Sequence, residues 1–199
     1  MANMQVKDGA AAEKYIGAEG AGSDVDPYLI RRILEGGYGH VGKEIVMPSG
    51  TATHAANDAI AHTTADATTH NLPLAGRKVG GSGAIFDVAI VTDNPLWATG
   101  INVIIYDGVG PGAYVADNAV FDFMYADKAV RVGEFQIASF AKLTGGTGAA
   151  AFGVAQGYNR PFKCASDSQN LYFQAYTPVT STAQVAGQKF YIDVGLMRD

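Results

Sequence analysis

RPFKCASDSQNLYFQAYTPVTSTAQVAGQKFYIDVGLM, residues 160 to 197, is the stretch that decides the fold. In its last segment Phe190, Ile192, Val194 and Leu196 fall on one face, and Lys189, Tyr191, Asp193 and Gly195 on the other. Successive side chains of a strand point to opposite faces of the sheet, so this pattern predicts a strand laid against a core. Residues 170–177 alternate in the same way, with Leu171, Phe173 and Ala175 on one side and Tyr172, Gln174 and Tyr176 on the other. Thr177-Pro178 and Ala186-Gly187 break the chain between them, because proline cannot donate to a ladder and glycine tolerates turn geometry. Such a sheet must pack against another.

Working outward, six more segments read as strands: 59–63, 72–79, 84–92, 101–106, 131–141 and 160–164. Gly-, Pro-, Asp- and Asn-rich breaks separate them, at 79–83, 93–95, 107–108 and 145–146. Eight short strands between turn signals predict an all-β domain, a β-sandwich of the jelly-roll type over residues 45–199. Residues 121–124 read as an extra edge segment and 125–130 as a helical turn. No repeat of solenoid or propeller period is present.

Residues 1–44 read as an extended N-terminal arm. Residues 1–22 suit one small β hairpin turning at Lys7-Asp8-Gly9. Residues 23–27 form a turn, and 28–34 either a strand or a short helix with Asp26 as N-cap and Pro27 at its first position. The apolar points of Val25, Tyr28, Leu29, Ile30, Ile33, Leu34 and Tyr38 make that part of the arm its anchor. Alone it buries too little to offset roughly 1–2 kcal/mol of backbone entropy per residue, so it needs a partner.

Composition limits the function classes. With 48% apolar and 17% charged residues among 199, the chain is globular, and 25 glycines suit a loop-rich β protein better than a helical bundle. The net charge of −5, with basic residues scattered singly or in pairs, argues against nucleic acid, whose binding draws on clustered Lys and Arg. A single cysteine, Cys164, allows no internal disulfide. No apolar run is long enough for a membrane span, and MANMQVKDG lacks a signal-peptide core, so the expectation is a soluble protein made in a cytoplasm.

Four features resemble chemistry. Residues 37–44, GYGHVGKE, match G-x-G-x-x-G and nearly match a phosphate loop, but Glu44 stands where a magnesium-binding hydroxyl belongs, and IVMPSG cannot continue as a helix. The reading is a glycine-rich hinge between arm and domain, with no nucleotide cofactor. His54, His62 and His70 recur every eight residues. Along a strand that spacing separates them by about 26 Å, and on a helix it turns them by about 80°. Only a folded-back loop or symmetry-related copies bring them together, so surface or interface histidines are expected rather than a metal site. The acidic pairs Asp24/Asp26, Asp93-Asn94 and Asp117-Asn118 lack calcium-loop spacing and fit turn chemistry. Cys164, among strand-like apolar neighbours and with no local base, reads as a core residue. No motif argues for an enzyme.

PFKC, the Leu-Tyr pair and AYTP before the last strand, together with GTATHAANDAI, GGSGAIFDVAIV, YADKAVRVGEF and the lead-in QVKDG…GAEGAGSDVDPYLI, cover most of the chain. In that order they resemble a family of tailed-bacteriophage virion proteins described as capsid decoration (cement) proteins. The resemblance implies a protein on the outer surface of the phage head, bound to the major capsid protein and to itself, as a trimer, with no catalytic role. A receptor- or carbohydrate-binding jelly roll on a tail fibre, head fibre or baseplate is the alternative, and exposed aromatics at loop tips, Trp97 or Tyr114, would mark it.

Overall fold

The computed structural model describes residues 4–7, 13–16, 38–48, 53–143, 150–181 and 184–199. The chain divides into two units, Met1–Tyr38 and Gly39–Asp199. In the first, β1 (Met4–Lys7) and β2 (Glu13–Ile16) pair antiparallel, Met4 opposite Ile16 and Lys7 opposite Glu13. A small hairpin was expected here; of its expected turn, Lys7 instead ends β1, and Asp8 and Gly9 lie outside the described residues. The expected turn at 23–27 and the strand or helix at 28–34 lie outside the described residues.

The second unit is a β-sandwich of two antiparallel sheets. One holds β3 (Tyr38–Val46), β13 (Lys189–Arg198), β6 (Ser82–Thr92), β10 (Ala150–Ala155) and β9 (Ala141–Leu143) in that order, with β11 (Arg160–Lys163) also on β6. The other runs β4 (Ala59–Ile60), β12 (Leu171–Tyr176), β7 (Ile101–Tyr106) and β8 (Arg131–Ile137), with β5 (Asn71–Leu72) also on β12. Alternation fixes which side chains meet between the sheets. Phe190, Ile192, Val194 and Leu196 of β13, with Ile85, Val88 and Ile90 of β6, face Leu171, Phe173, Val103, Ile105, Phe135 and Ile137, all fully buried. At about 25 cal/mol per Å² of apolar surface removed from water, this layer is the main source of stability. The face assignment for the last strand holds, since Tyr191 is 45% exposed between buried Phe190 and Ile192.

The outer face of the five-stranded sheet is not left to solvent. Residues 107–130, including a 3-10 turn at Tyr125–Ala129, cross it and close a second cluster of Ala59, Ile104, Tyr106 and Phe121. Tyr172, Tyr176, Val115 and Phe123 pack against that cluster, and Phe121 stacks on Tyr176 at 5.0 Å. This explains why all six residues of β7 are buried: its odd positions enter the main core, Ile104 and Tyr106 the second cluster, and Asn102 bonds Glu134 and Tyr176. Phe121–Met124 therefore serves as cover rather than as an edge strand, while the helical turn after it forms where expected.

The expected strand at 59–63 shortens to β4, the one at 131–141 divides into β8 and β9 on different sheets, and three further strands depart from the sequence expectation. Residues 72–79 carry only the end of a two-residue strand, 71–72; Asn71 and Leu72 pair with β12 before the chain turns away. The weakly patterned run at 150–155 does form β10, whose small residues answer a close approach. A side chain at Gly153 would meet Ile137 and the Ser139 carbonyl at 2.5 and 2.9 Å. The third is the glycine-rich segment, taken above as a hinge. It is the edge strand β3, paired with β13, and residues 38–44 of the expected arm lie in the sheet. Its glycines sit where β13 side chains lie across the strand. A Cβ at Gly42 would collide with the Tyr191 phenol, and one at Gly39 would press on the Arg198 guanidinium at 3.2 Å. An aromatic laid over an edge glycine is a known way of holding such a strand.

Candidate functional site

Two of the three evenly spaced histidines do not lie on the surface. His54 and His70 are 0% and 1% exposed, and His62 is half-buried. The chain from 53 to 70 folds back as a loop at one end of the sandwich, so strand or helix separations do not apply. Even so, only His62 and His70 meet, edge to face at 6.2 Å. Among the described residues no group of three or more His, Cys, Asp or Glu side chains is placed to hold a metal ion.

His54 ties loops together. Its Nε2 meets Asp117 Oδ1 at 3.0 Å, and its Nδ1 faces the Gln184 amide. A Gln184 N–H donated to Nδ1 leaves the ring proton on Nε2, to be donated to the carboxylate. Asp117 Oδ1 also accepts the Ala61 N–H at 3.1 Å. Ser181 stands close by, but its hydroxyl accepts the His54 main-chain N–H at 3.1 Å rather than facing the ring. Histidine, aspartate and serine here form a buried joint and lack the nucleophile–base contact of a hydrolytic triad.

His70 sits between Phe173 and Tyr114, at ring distances of 5.3 and 5.6 Å, and its Nδ1 meets the Thr69 hydroxyl at 2.8 Å. Burial, with a smaller effect from His62, pushes it down to about 4, so the ring is neutral at neutral pH. Asp66 opens the turn beneath, accepting N–H groups of Thr68 and Thr69 at 2.8 and 2.9 Å. The Thr68 hydroxyl and those amides hold its carboxyl down to about 2. Lys43 reaches from β3 to the Thr68 carbonyl at 3.0 Å, so it fastens this loop where a phosphate loop would present it to a nucleotide.

The other acidic pairs behave as turn formers. Asp93 accepts the Lys189 N–H at 2.9 Å, and Asn94 Oδ1 accepts the Leu96 N–H at 3.0 Å. Asn118 takes a positive φ of 59°. Cys164 is 2% exposed in the main core, and burial pushes its thiol up. The anchor residues Val25, Tyr28, Leu29, Ile30, Ile33 and Leu34, with the acidic pair at 24 and 26, lie outside the described residues. Tyr38 opens β3 with its side chain more than half exposed.

A feature not foreseen is a groove of about 450 Å³ beside β8, lined by Phe123, Lys128, Arg131, Val132, Gly133, Glu134, Gln136 and Arg160. Arg131 Nη2 donates to Glu134 Oε2 at 2.8 Å and lies 5.0 Å over the Phe123 ring. The other carboxylate oxygen of Glu134 accepts from Tyr176 Oη at 2.6 Å and Asn102 Nδ2 at 2.9 Å. Lys128 Nζ stands 3.6 Å over Tyr125. The stem of Arg160 lies near Gly133, where a Cβ would find it at 3.5 Å. Three cations against one carboxylate make this wall locally positive on a chain of net charge −5. The spacing Lys128, Arg131, Glu134 was legible, but Arg160 comes from a distant strand.

No protein-family model and no curated protein matches the chain.

Proposed function

We propose that the chain is a capsid decoration protein of a tailed bacteriophage, seated on the outer surface of the head. It binds the major capsid protein and its own copies, as a trimer, and stabilises the shell by tying neighbouring capsid subunits together. The observation that carries this reading is the nesting of eight strands. β3 pairs with β13, β4 with β12, β6 with β10 and β7 with β8. Counted along these eight, the first meets the eighth, the second the seventh, the third the sixth and the fourth the fifth. Such nesting supports reading the sandwich as a jelly roll, an architecture used in viral capsid and lectin domains. The virion-protein motifs noted in the sequence supply the role, because a fold alone does not.

Cementing follows from mass action, since contacts made only on the assembled shell stabilise that shell. The fibre or baseplate alternative asked for Trp97 or Tyr114 at exposed loop tips. Trp97 is instead 1% exposed and packed on Phe190 at 5.1 Å, and Tyr114 lies against His70, so nothing specific favours it.

The test is a pull-down on undecorated shells with the full chain and with a chain starting at Tyr38, alongside thermal release of packaged DNA. The full chain should bind and raise the release temperature, and the shorter one should fold but bind much more weakly. If the intact protein ignores shells and is found at the tail tip, decoration is refuted. Equal binding by both chains would remove the arm as anchor.

A further inference from the structure

β8 ends its sheet. Among the described residues it pairs with β7 on one side and with no strand on the other, and its outer side borders the groove of about 450 Å³. A strand with one open side holds a row of N–H and C=O groups that another extended chain can bond. Three features set this edge apart from one merely guarded by charge. Its charges are unbalanced, with Lys128, Arg131 and Arg160 against Glu134, whereas a guarded edge needs no excess of one sign. Glu134 already satisfies Tyr176, Asn102 and Arg131, so its oxygens are committed, while the bond it takes from Arg131 uses one of the five N–H donors a guanidinium carries. Arg131 is also placed in advance by Glu134 and Phe123, and the Arg160 stem passes near Gly133. Across the gap β11 carries Pro161, which cannot donate, so strand addition is directed to β8.

We propose that the β8 edge is a docking groove for an extended, carboxylate-rich segment of a protein partner. The segment adds as a strand outside β8. Its main chain pairs with residues 131–136, and its acidic side chains on one face reach Lys128, Arg131 and Arg160. Main-chain bonds supply affinity and alternate side chains supply selection, as in other strand-addition modes. Guanidinium groups suit carboxylates because their donors engage both oxygens. The proposal holds whether or not the chain belongs to a virion, so its test is separate from shell binding.

The probe is a fluorescein-labelled ten-residue peptide alternating Asp with Thr or Val, titrated into the full chain by anisotropy. Binding should weaken about tenfold or more in Arg160→Glu and in Lys128→Glu, the loss expected for one charge-assisted contact turned repulsive. Both side chains are exposed, so circular dichroism should show unchanged folding. A peptide of equal charge interrupted by two prolines should bind far more weakly, and its Lys-for-Asp counterpart should not bind. Equal affinity for the proline peptide would reduce the groove to unspecific charge attraction. Unchanged affinity in both variants would overturn the site, as would a groove that takes heparin tetrasaccharide but not the peptide.

Discussion

Acidification should loosen the sandwich through His70. The ring is held at about 4 by burial between Phe173, Tyr114 and His62, with Asp66 opposing and Lys43 reinforcing the shift. In the unfolded chain it returns to about 6.5, so between these values the unfolded state binds the extra proton. Stability from this group is therefore complete above pH 6.5 and is lost as pH falls toward 4. Linkage puts the loss at about 2 kcal/mol at pH 5 and about 3 kcal/mol at pH 4. His70→Phe keeps a ring in the same slot, and the Thr69 hydroxyl retains the Thr64 and Asp66 carbonyls at 3.2 Å. The assay is urea denaturation of both proteins from pH 7.5 to 4. With a slope of about 2 kcal/mol per molar, the parent midpoint should fall by about 1 M more than the variant's by pH 5. Parallel curves for the two proteins would refute the reasoning. So would a His70 ring that titrates above pH 6 by NMR.

Phe190→Ala should cost about 3–5 kcal/mol, since it empties a core site against Trp97, whereas Asp193→Asn should cost less than about 1 kcal/mol because its His40 partner is half-exposed; urea melts that reverse this order would reverse the facing of β13. Gly42→Ala should cost about 1 kcal/mol by displacing the Tyr191 ring, and a double-mutant cycle should show that cost vanish in a Tyr191→Ala background. Lys43→Ala should leave calorimetric titrations with ATP or NAD as flat as the parent's while lowering stability slightly through the freed Thr68 carbonyl; micromolar binding that disappears in the variant would restore the phosphate-loop reading.

What could be read from the sequence was what alternation controls. The faces of β13 and β12, the position of β6 and β7, the turn chemistry of Asp93 and Asn94, and burial of Cys164 all follow from period-two patterning and local hydrogen bonding. Failures came where the reason for a residue lies on another strand. Gly39 and Gly42 look like a loop until Tyr191 and Arg198 are laid across them. The strand at 150–155 was not foreseen, and its Gly153 makes sense only once Ile137 of β8 is seen to leave no room for a Cβ. The cover of residues 107–130 over the outward residues of β12 was not foreseen, because it is not encoded in β12 itself. The histidines were misjudged because a spacing rule for regular elements was applied to a loop. Of the groove, its two local cations sit in one short run, but the third arrives only through the pairing of β11 with β6.

β13 lies between β3 and β6, and of the described strands it comes latest in the chain. Until residues 189–198 emerge, β3 has no partner in its sheet and β6 has one side empty, although both were synthesised long before. Closure by such distant pairings is slow, and it leaves unpaired edges waiting. A nascent or prematurely terminated chain thus carries a strand-wide vacancy rather than a smaller version of the domain.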